Sequence, residues 1–313
     1  MRAAVAGRYG GPEVVRVTEV PRPEPRRGEV VVRVDSAAVT SGDARIRAAR
    51  FPRGFGIPAR LVFGVLRPRR RVLGGTFSGV VEAGGEGAGL EVGAPVCGMT
   101  GMRMGTHAEY VRVPARRAVP VPPGVSLEDA AGVLFGGTTA LYFLRDRAAV
   151  REGMSVLVNG ASGAVGTNAV QLARLLGARV TAVCRAPPAA RVAGLGADRV
   201  IGRASGDLAA EAGRHDVVMD TTGTMTIPEG RRLLAPGGRL LLVAASLAQT
   251  LRARGDVSAG TSGERPEDMA HLLSLVERGE LRVVRDAALP LEEIAEAHRR
   301  VDAGKTGNLL VRP

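Results

Sequence analysis

Residues 155–176, SVLVNGASGAVGTNAVQLARLL, constrain this chain more than any other stretch, because a strand, a glycine turn and a helix follow one another without a gap. Ser155 to Asn159 is a short β-branched and apolar run, suited to a strand covered on both faces. Ala169, Leu172, Ala173 and Leu176 then recur at spacings of three and four, which puts them on one face of a helix. Gly160, Gly163 and Gly166 lie between. A strand-to-helix turn aims free backbone N–H groups and the positive end of a helix dipole at one point, and glycine lets a pyrophosphate come close to it. The spacing G-x-G-x-x-G has Ala161 in its first place here, Gly163 and Gly166 in the others, and Gly160 one residue early. The stretch predicts a dinucleotide cradle formed by Gly160, Ala161, Ser162, Gly163, Ala164, Val165 and Gly166.

A chain of 313 residues is long enough for two domains with separate cores. Cys97 and Cys184 form no C-x-x-C pair, so neither a disulfide framework nor a cysteine zinc lobe can be built, and a reducing cytoplasm is expected. The first residues, MRAAVAGRYGGPE, lack the apolar core of a signal peptide, and no run is long and apolar enough to span a membrane. The net charge of +12 raises the possibility of nucleic acid or an acidic membrane surface. Lys305 is the only lysine, however, and the arginines are dispersed apart from Arg67 to Arg71. Aromatic residues for base stacking make up only 3% of the chain. The basic run is therefore read as a solvated loop, and single-stranded nucleic-acid binding is the least favoured function.

The first 120 residues or so read as β-rich, with strands at Glu29–Val34, Leu73–Ala83, Glu91–Cys97 and Thr106–Val113. Pro21 to Gly28 is a loop, and a short helix within Val39–Ala49 ends before Phe51-Pro52. After Pro122-Pro123-Gly124 the pattern changes. Ser126 caps a helix from Leu127, and strands at Ser155–Asn159, Arg179–Cys184, Arg199–Ile201, Asp216–Asp220 and Gly238–Ala244 alternate with helices, which predicts a parallel sheet. A weak strand at Asp256–Ala259 completes it. A helix at Pro266–Arg278, a strand at Leu281–Arg285, a helix at Leu291–Val301 and a strand at Asn308–Arg312 follow.

The succession GGPEVVRV, GEVVVRV, SGDARIR, GGTFSGVVEAGG, HAEYVRVP, GTTAL, VLVNGASGAVG, GLGADRVI, DTTG, LAPGGRLLLV and ERGELRVV resembles the zinc-free medium-chain dehydrogenase/reductases of the quinone oxidoreductase (zeta-crystallin-like) group over essentially the whole chain. The resemblance implies an α/β fold in which a Rossmann doubly wound parallel sheet, residues 123–263, is inserted into a GroES-like β-rich catalytic domain, residues 1–122 and 264–313. It also implies a nicotinamide cofactor in the cleft and a homodimer. Relatives that oxidise alcohols have a cysteine near Thr40-Ser41 and a histidine-glutamate pair near Gly75-Thr76, which this chain lacks. Its histidines, His107, His215, His271 and His298, have no metal-ligand spacing, so no metal site is expected.

Where the second strand ends, a carboxylate would hold the ribose of NAD(H), but the chain reads Cys184-Arg185, with Arg191 further on. A guanidinium there favours a 2′-phosphate, so NADPH is expected, with Arg185 and Arg191 the two candidate contacts. Pro187 and Pro188 would reshape that loop. By resemblance, Thr139, Thr222, Gly223, Val243 and Ala244 line the cofactor groove, and Thr40 and Asp43 form the substrate-side polar pair. Asn308 stands where relatives have a lysine, and Lys305 is displaced from that place. No tyrosine suits the role of proton donor, which leaves water. The expected reaction is hydride transfer from NADPH to an enone, enal or quinone, a small apolar substrate, in a roomy apolar site formed by Thr40 to Phe63 and Met99 to Met104. The alternative is a non-redox catalyst or an NADPH-gated binding protein on the same fold.

Overall fold

The computed structural model describes residues 1–185, 189–202 and 207–313. Strands β1 (Arg2–Ala6) and β2 (Val15–Glu19) form an antiparallel pair, followed by β3 (Glu29–Ala38), helix α1 (Ser41–Ala48) and helix α2 (Gly56–Phe63). Next come β4 (Thr76–Gly84), β5 (Pro95–Met99), β6 (Tyr110–Pro114) and β7 (Ala118–Pro120). Helix α3 (Leu127–Leu141) leads to β8 (Ser155–Asn159), α4 (Ala164–Leu175), β9 (Arg179–Cys184), α5 (Ala189–Ala193), β10 (Arg199–Gly202) and β11 (His215–Asp220). Then follow α6 (Ile227–Leu233), β12 (Leu234–Leu242), α7 (Leu247–Arg252) and β13 (Val257–Ala259). The remainder is α8 (Pro266–Glu277), β14 (Arg285–Pro290), α9 (Ile294–Ala303) and β15 (Asn308–Arg312).

The expected doubly wound sheet is present. Its order is β10-β9-β8-β11-β12-β13 and every pairing is parallel, so the chain reverses direction of winding between β8 and β11. Alternate side chains feed opposite faces. Val156, Val158, Val217, Met219 and Leu241 pack on the α3, α4 and α8 side, whereas Leu157, Val218, Leu240 and Leu242 pack with Met225, Ala245 and Ile227 and Leu233 of α6 on the other. A second sheet, β14-β15-β3-β4-β5-β7 with β6 also on β3, draws its strands from both ends of the sequence.

Helix α3 lies between the two sheets and is buried almost all round, from Ala130 to Leu134 and again from Gly136 to Leu141. Its glycines let neighbours approach: a Cβ on Gly136 would stand 2.2 Å from the carbonyl oxygen of Ala164, the first residue of α4. Ser126 caps α3, accepting the N–H of Asp129 at 3.1 Å.

The structure corrects several expected boundaries. Helix α4 starts at Ala164 directly after Gly163, five residues before the first of its regularly spaced apolar positions. Strand β3 runs on to Ala38 because the distant β15 pairs with Ala37 and Ala38. Strand β4 opens at Thr76, since Leu73 spends its carbonyl on Gly105 and His107, and β5 opens at Pro95 after a turn. Strand β6 opens at Tyr110, because His107, Ala108 and Glu109 pair with β1 instead. The expected strand Leu281–Arg285 is absent. Gln171 takes both backbone groups of Arg282, receiving its N–H at 2.8 Å and donating to its carbonyl at 3.0 Å, so the ladder begins only at Arg285. Among the described residues no helix is long and apolar enough to cross a membrane.

Candidate active site

The reversal point between β8 and β11 opens into a cavity of about 520 Å³. Its floor is the glycine turn. Gly160 takes φ +84°, a conformation that favours glycine, and a Cβ there would lie 2.4 Å from Thr221 Oγ1 and Thr222 Cγ2. The N–H groups of Gly160 and Ala161 donate to Val183 O at 2.9 and 3.0 Å, which ties the turn to β9. Thr167 N–H is the first amide of α4 to bond back, to Gly163 O at 2.9 Å, so the preceding amides of Ala164 and Val165 lie at the cavity wall with no intrahelical acceptor. Gly163 is open, its nearest neighbour for a Cβ being Gly160 O at 3.6 Å. Gly166 is the reverse. A Cβ there would meet Gly160 O at 2.1 Å and Ala161 Cα at 2.7 Å, so this glycine serves helix packing.

The cavity gathers Thr40, Gly160, Ser162, Gly163, Ala164, Val165, Cys184, Arg185 and Thr222 from the residues expected to bind cofactor or substrate. It excludes others. Ala161 is fully buried beneath the turn, and Gly223, at φ +75°, backs onto Ala244, neither of them at the cavity wall. Arg191 is exposed on α5. Asn308 is buried with its Nδ2 on Val284 O at 3.1 Å, so it braces the β15 entrance instead of facing the cavity. Pro187 and Pro188 lie outside the described residues.

Two further cations complete the wall: Arg45 of α1, which sequence reasoning passed over, and Lys305, which it took to be displaced from the site. Arg45 is half-buried with no acidic partner among the described residues, and burial lowers its pKa. Burial lowers Lys305 to about 8, against the opposing pull of Asp286 and Asp43. Its ammonium donates to Gly307 O, and Gly307 N–H in turn donates to Ser162 O at 2.8 Å, which holds the C-terminal segment on the glycine turn. That Lys305 is the single lysine of an arginine-rich chain was a usable signal; nothing in the sequence brings Arg45 to the turn. Asn159 donates to Asp220 at 2.9 Å, and the buried Asp220 carboxylate also receives the Thr222 N–H and hydroxyl at 3.0 and 2.7 Å. This network fixes the two strand ends that frame the cavity.

Thr40 and Phe135 also line a second, more apolar chamber of about 340 Å³, together with Asp43, Thr139, Val243, Met99, Met102, Met104, Phe63 and Glu264. Thr40 caps α1, its hydroxyl donating to Asp43 Oδ2 at 2.6 Å, while Asp43 receives Gly74 N–H at 3.0 Å on its other oxygen. Thr139 donates to Phe135 O at 2.7 Å and approaches Ser262 Oγ at 3.4 Å. Burial raises the Glu264 carboxyl, with the Arg117 guanidinium at 3.1 Å opposing it. Among the described residues no three His, Cys, Asp or Glu side chains cluster so that they could hold a metal ion.

Two family models match the chain. Residues 26–123 match the alcohol dehydrogenase GroES-like domain, and residues 195–308 match the zinc-binding dehydrogenase family. An acryloyl-coenzyme A reductase of Metallosphaera sedula is 30% identical over 350 residues, covering 99% of each chain. A quinone oxidoreductase of Pseudomonas aeruginosa is 28% identical over 330 residues, covering 97% of each. Among solved structures, the quinone oxidoreductase from Coxiella burnetii superposes with a TM-score of 0.91 at 24% identity, over 100% of this chain and 99% of that one. A mycobacterial protein solved with NADPH gives a TM-score of 0.82 at 27% identity over 100% of both chains.

Proposed function

The chain belongs to the medium-chain dehydrogenase/reductase family and is an oxidoreductase, and within that family we propose that it is a zinc-independent NADPH-dependent reductase of enones, enals or quinones. One observation carries this reading: the cavity at the glycine turn and the apolar chamber are neighbours that share Thr40 and Phe135 in their walls, so a nucleotide in the first would have its far end beside a substrate in the second. The residues fit such a cofactor. Gly163 leaves room for a pyrophosphate, the amides of Ala164 and Val165 and the α4 dipole face it, and Arg45 and Lys305 supply positive charge. Arg185, directly after β9 where no carboxylate stands, is the guanidinium for a 2′-phosphate. The domain limits 1–122 with 264–313, and 123–263, are part of the same reading and accord with which strands each sheet recruits.

When bound, the dihydronicotinamide supplies a hydride. The protein's share is alignment. Asp43 pins the Thr40 hydroxyl at the junction of the two cavities, Thr139 and Val243 bound the chamber on the sheet side, and the methionines give an apolar wall that excludes water from the reacting carbon. The electron pair displaced onto the substrate oxygen is then protonated from water.

Titration of the purified protein with NADPH and with NADH, followed by the nucleotide's own fluorescence, tests this reading. NADPH should bind about tenfold or more tightly than NADH. Absence of binding by both would end the assignment. The Lys305 ammonium adds a pH dependence of fixed sign. It is charged below about 8 in the free protein, so affinity for the anionic nucleotide should fall as pH rises through about 8, and Lys305→Met should flatten that fall.

A further inference from the structure

The stretch from Ala44 to Val81 contains nine arginines and no aspartate or glutamate. Six of them, Arg53, Arg60, Arg67, Arg69, Arg70 and Arg71, are exposed and have no carboxylate partner among the described residues. Arg231, Arg265 and Arg278, by contrast, are exposed and sit on carboxylates. The same segment carries exposed aliphatic side chains in unusual density. Ile57 is 78% exposed, Leu61 62%, Val62 52%, Val65 55% and Leu66 88%, five of the nine large hydrophobic residues so exposed among those described. Helix α2 has no buried residue at all. Eight residues are too few to be a stable helix in water on their own, so a surface that covers its apolar side would account for its order.

We propose that residues 56–71 are a docking surface for an anionic phospholipid bilayer. The chemistry selects this occupant over others. Aliphatic side chains ringed by arginines match acyl chains beneath phosphate head groups, and a bilayer needs no complementary shape. A second copy of the chain would bring six arginines without carboxylate partners against six. A single-stranded nucleic acid would use exposed rings, yet Phe51 and Phe63 stack on each other at 5.6 Å and face inward. The surface also adjoins the chamber, because Phe63 of α2 forms part of the chamber wall. Resting on the reductase reading for what the chamber holds, docking there would place its mouth beside the layer in which a lipophilic quinone or enone is dissolved.

The test is flotation of the full-length protein with phosphatidylcholine vesicles, with and without phosphatidylglycerol. Only the vesicles containing phosphatidylglycerol should carry the protein, and both Ile57→Ser/Leu61→Ser/Leu66→Ser and Arg69→Gln/Arg70→Gln/Arg71→Gln should weaken that association by about tenfold or more. No flotation of the wild type overturns the proposal, as does flotation of both variants at the wild-type level. A change of oligomeric state in the serine variant also overturns it, by assigning the face to contact between copies. NADPH titration without lipid checks that each variant is folded and reports separately on the reductase reading.

Discussion

Gly163→Val is expected to abolish NADPH binding and leave stability within about 1 kcal/mol of the parent, whereas Gly166→Ala should lose about 3 kcal/mol of stability. The two glycines stand three residues apart in one turn, and the difference follows from what each would touch. Gly163 has φ −80° and ψ 175°, extended backbone open to any residue, and a Cβ there meets nothing closer than Gly160 O at 3.6 Å. A valine would fit the fold and project into the space that the proposed pyrophosphate would take. At Gly166 the Cβ would lie 2.1 Å from Gly160 O, and because the obstacle is backbone, relief requires α4 to lift from the turn. Urea unfolding and fluorescence titration of both variants separate the effects. Tight binding by the valine variant would remove the pyrophosphate from this turn.

Acid should weaken the protein through His298. This side chain of α9 is fully buried with neither ring nitrogen bonded, facing the His107 ring at 6.2 Å, Arg47 of α1 and Asp43. Burial first, then the neighbouring His107 and Arg47, push its pKa down to about 3, with Asp43 pulling the other way. In the unfolded chain the same group titrates near 6.5. The unfolded state therefore binds the extra proton between those values, so the contribution is whole above about 6.5 and is lost as pH falls toward 3. The loss approaches about 1.4 kcal/mol per unit, or about 2 kcal/mol by pH 5. Urea midpoints at pH 5 and pH 7.5 should show that difference in the parent and much less of it in His298→Leu. Equal slopes in the two proteins would assign the acid sensitivity elsewhere.

The parts of the site visible in the sequence are those whose chemistry is contiguous. Gly160, Ser162, Gly163 and Cys184-Arg185 could be placed because a strand end and the helix after it dictate each other's geometry over a few residues. Arg45 and Lys305 could not, since each reaches the cavity from a segment that only tertiary packing brings there. Misplaced strand boundaries have the same origin. Residues 281–284 have the composition of a strand, but one amide, Gln171, claims the backbone the ladder needed. Ala161 and Gly166 read in the sequence as members of the cradle, whereas in the fold they support the turn from beneath and do not face the cavity.

The bond from Gly307 to Ser162 also bears on the order in which the molecule can be made. The parallel sheet uses only residues 155–259, so it can form while the ribosome is still at work downstream. The loop that closes over its glycine turn, and the β15 strand that anchors that loop to β3, emerge more than a hundred residues after the turn. Synthesis in this order allows a stage with a folded sheet and an unroofed cradle. On the proposed function, the full cradle for a nucleotide exists only once synthesis has delivered β15, which would make cofactor capture a late event in the biogenesis of the protein.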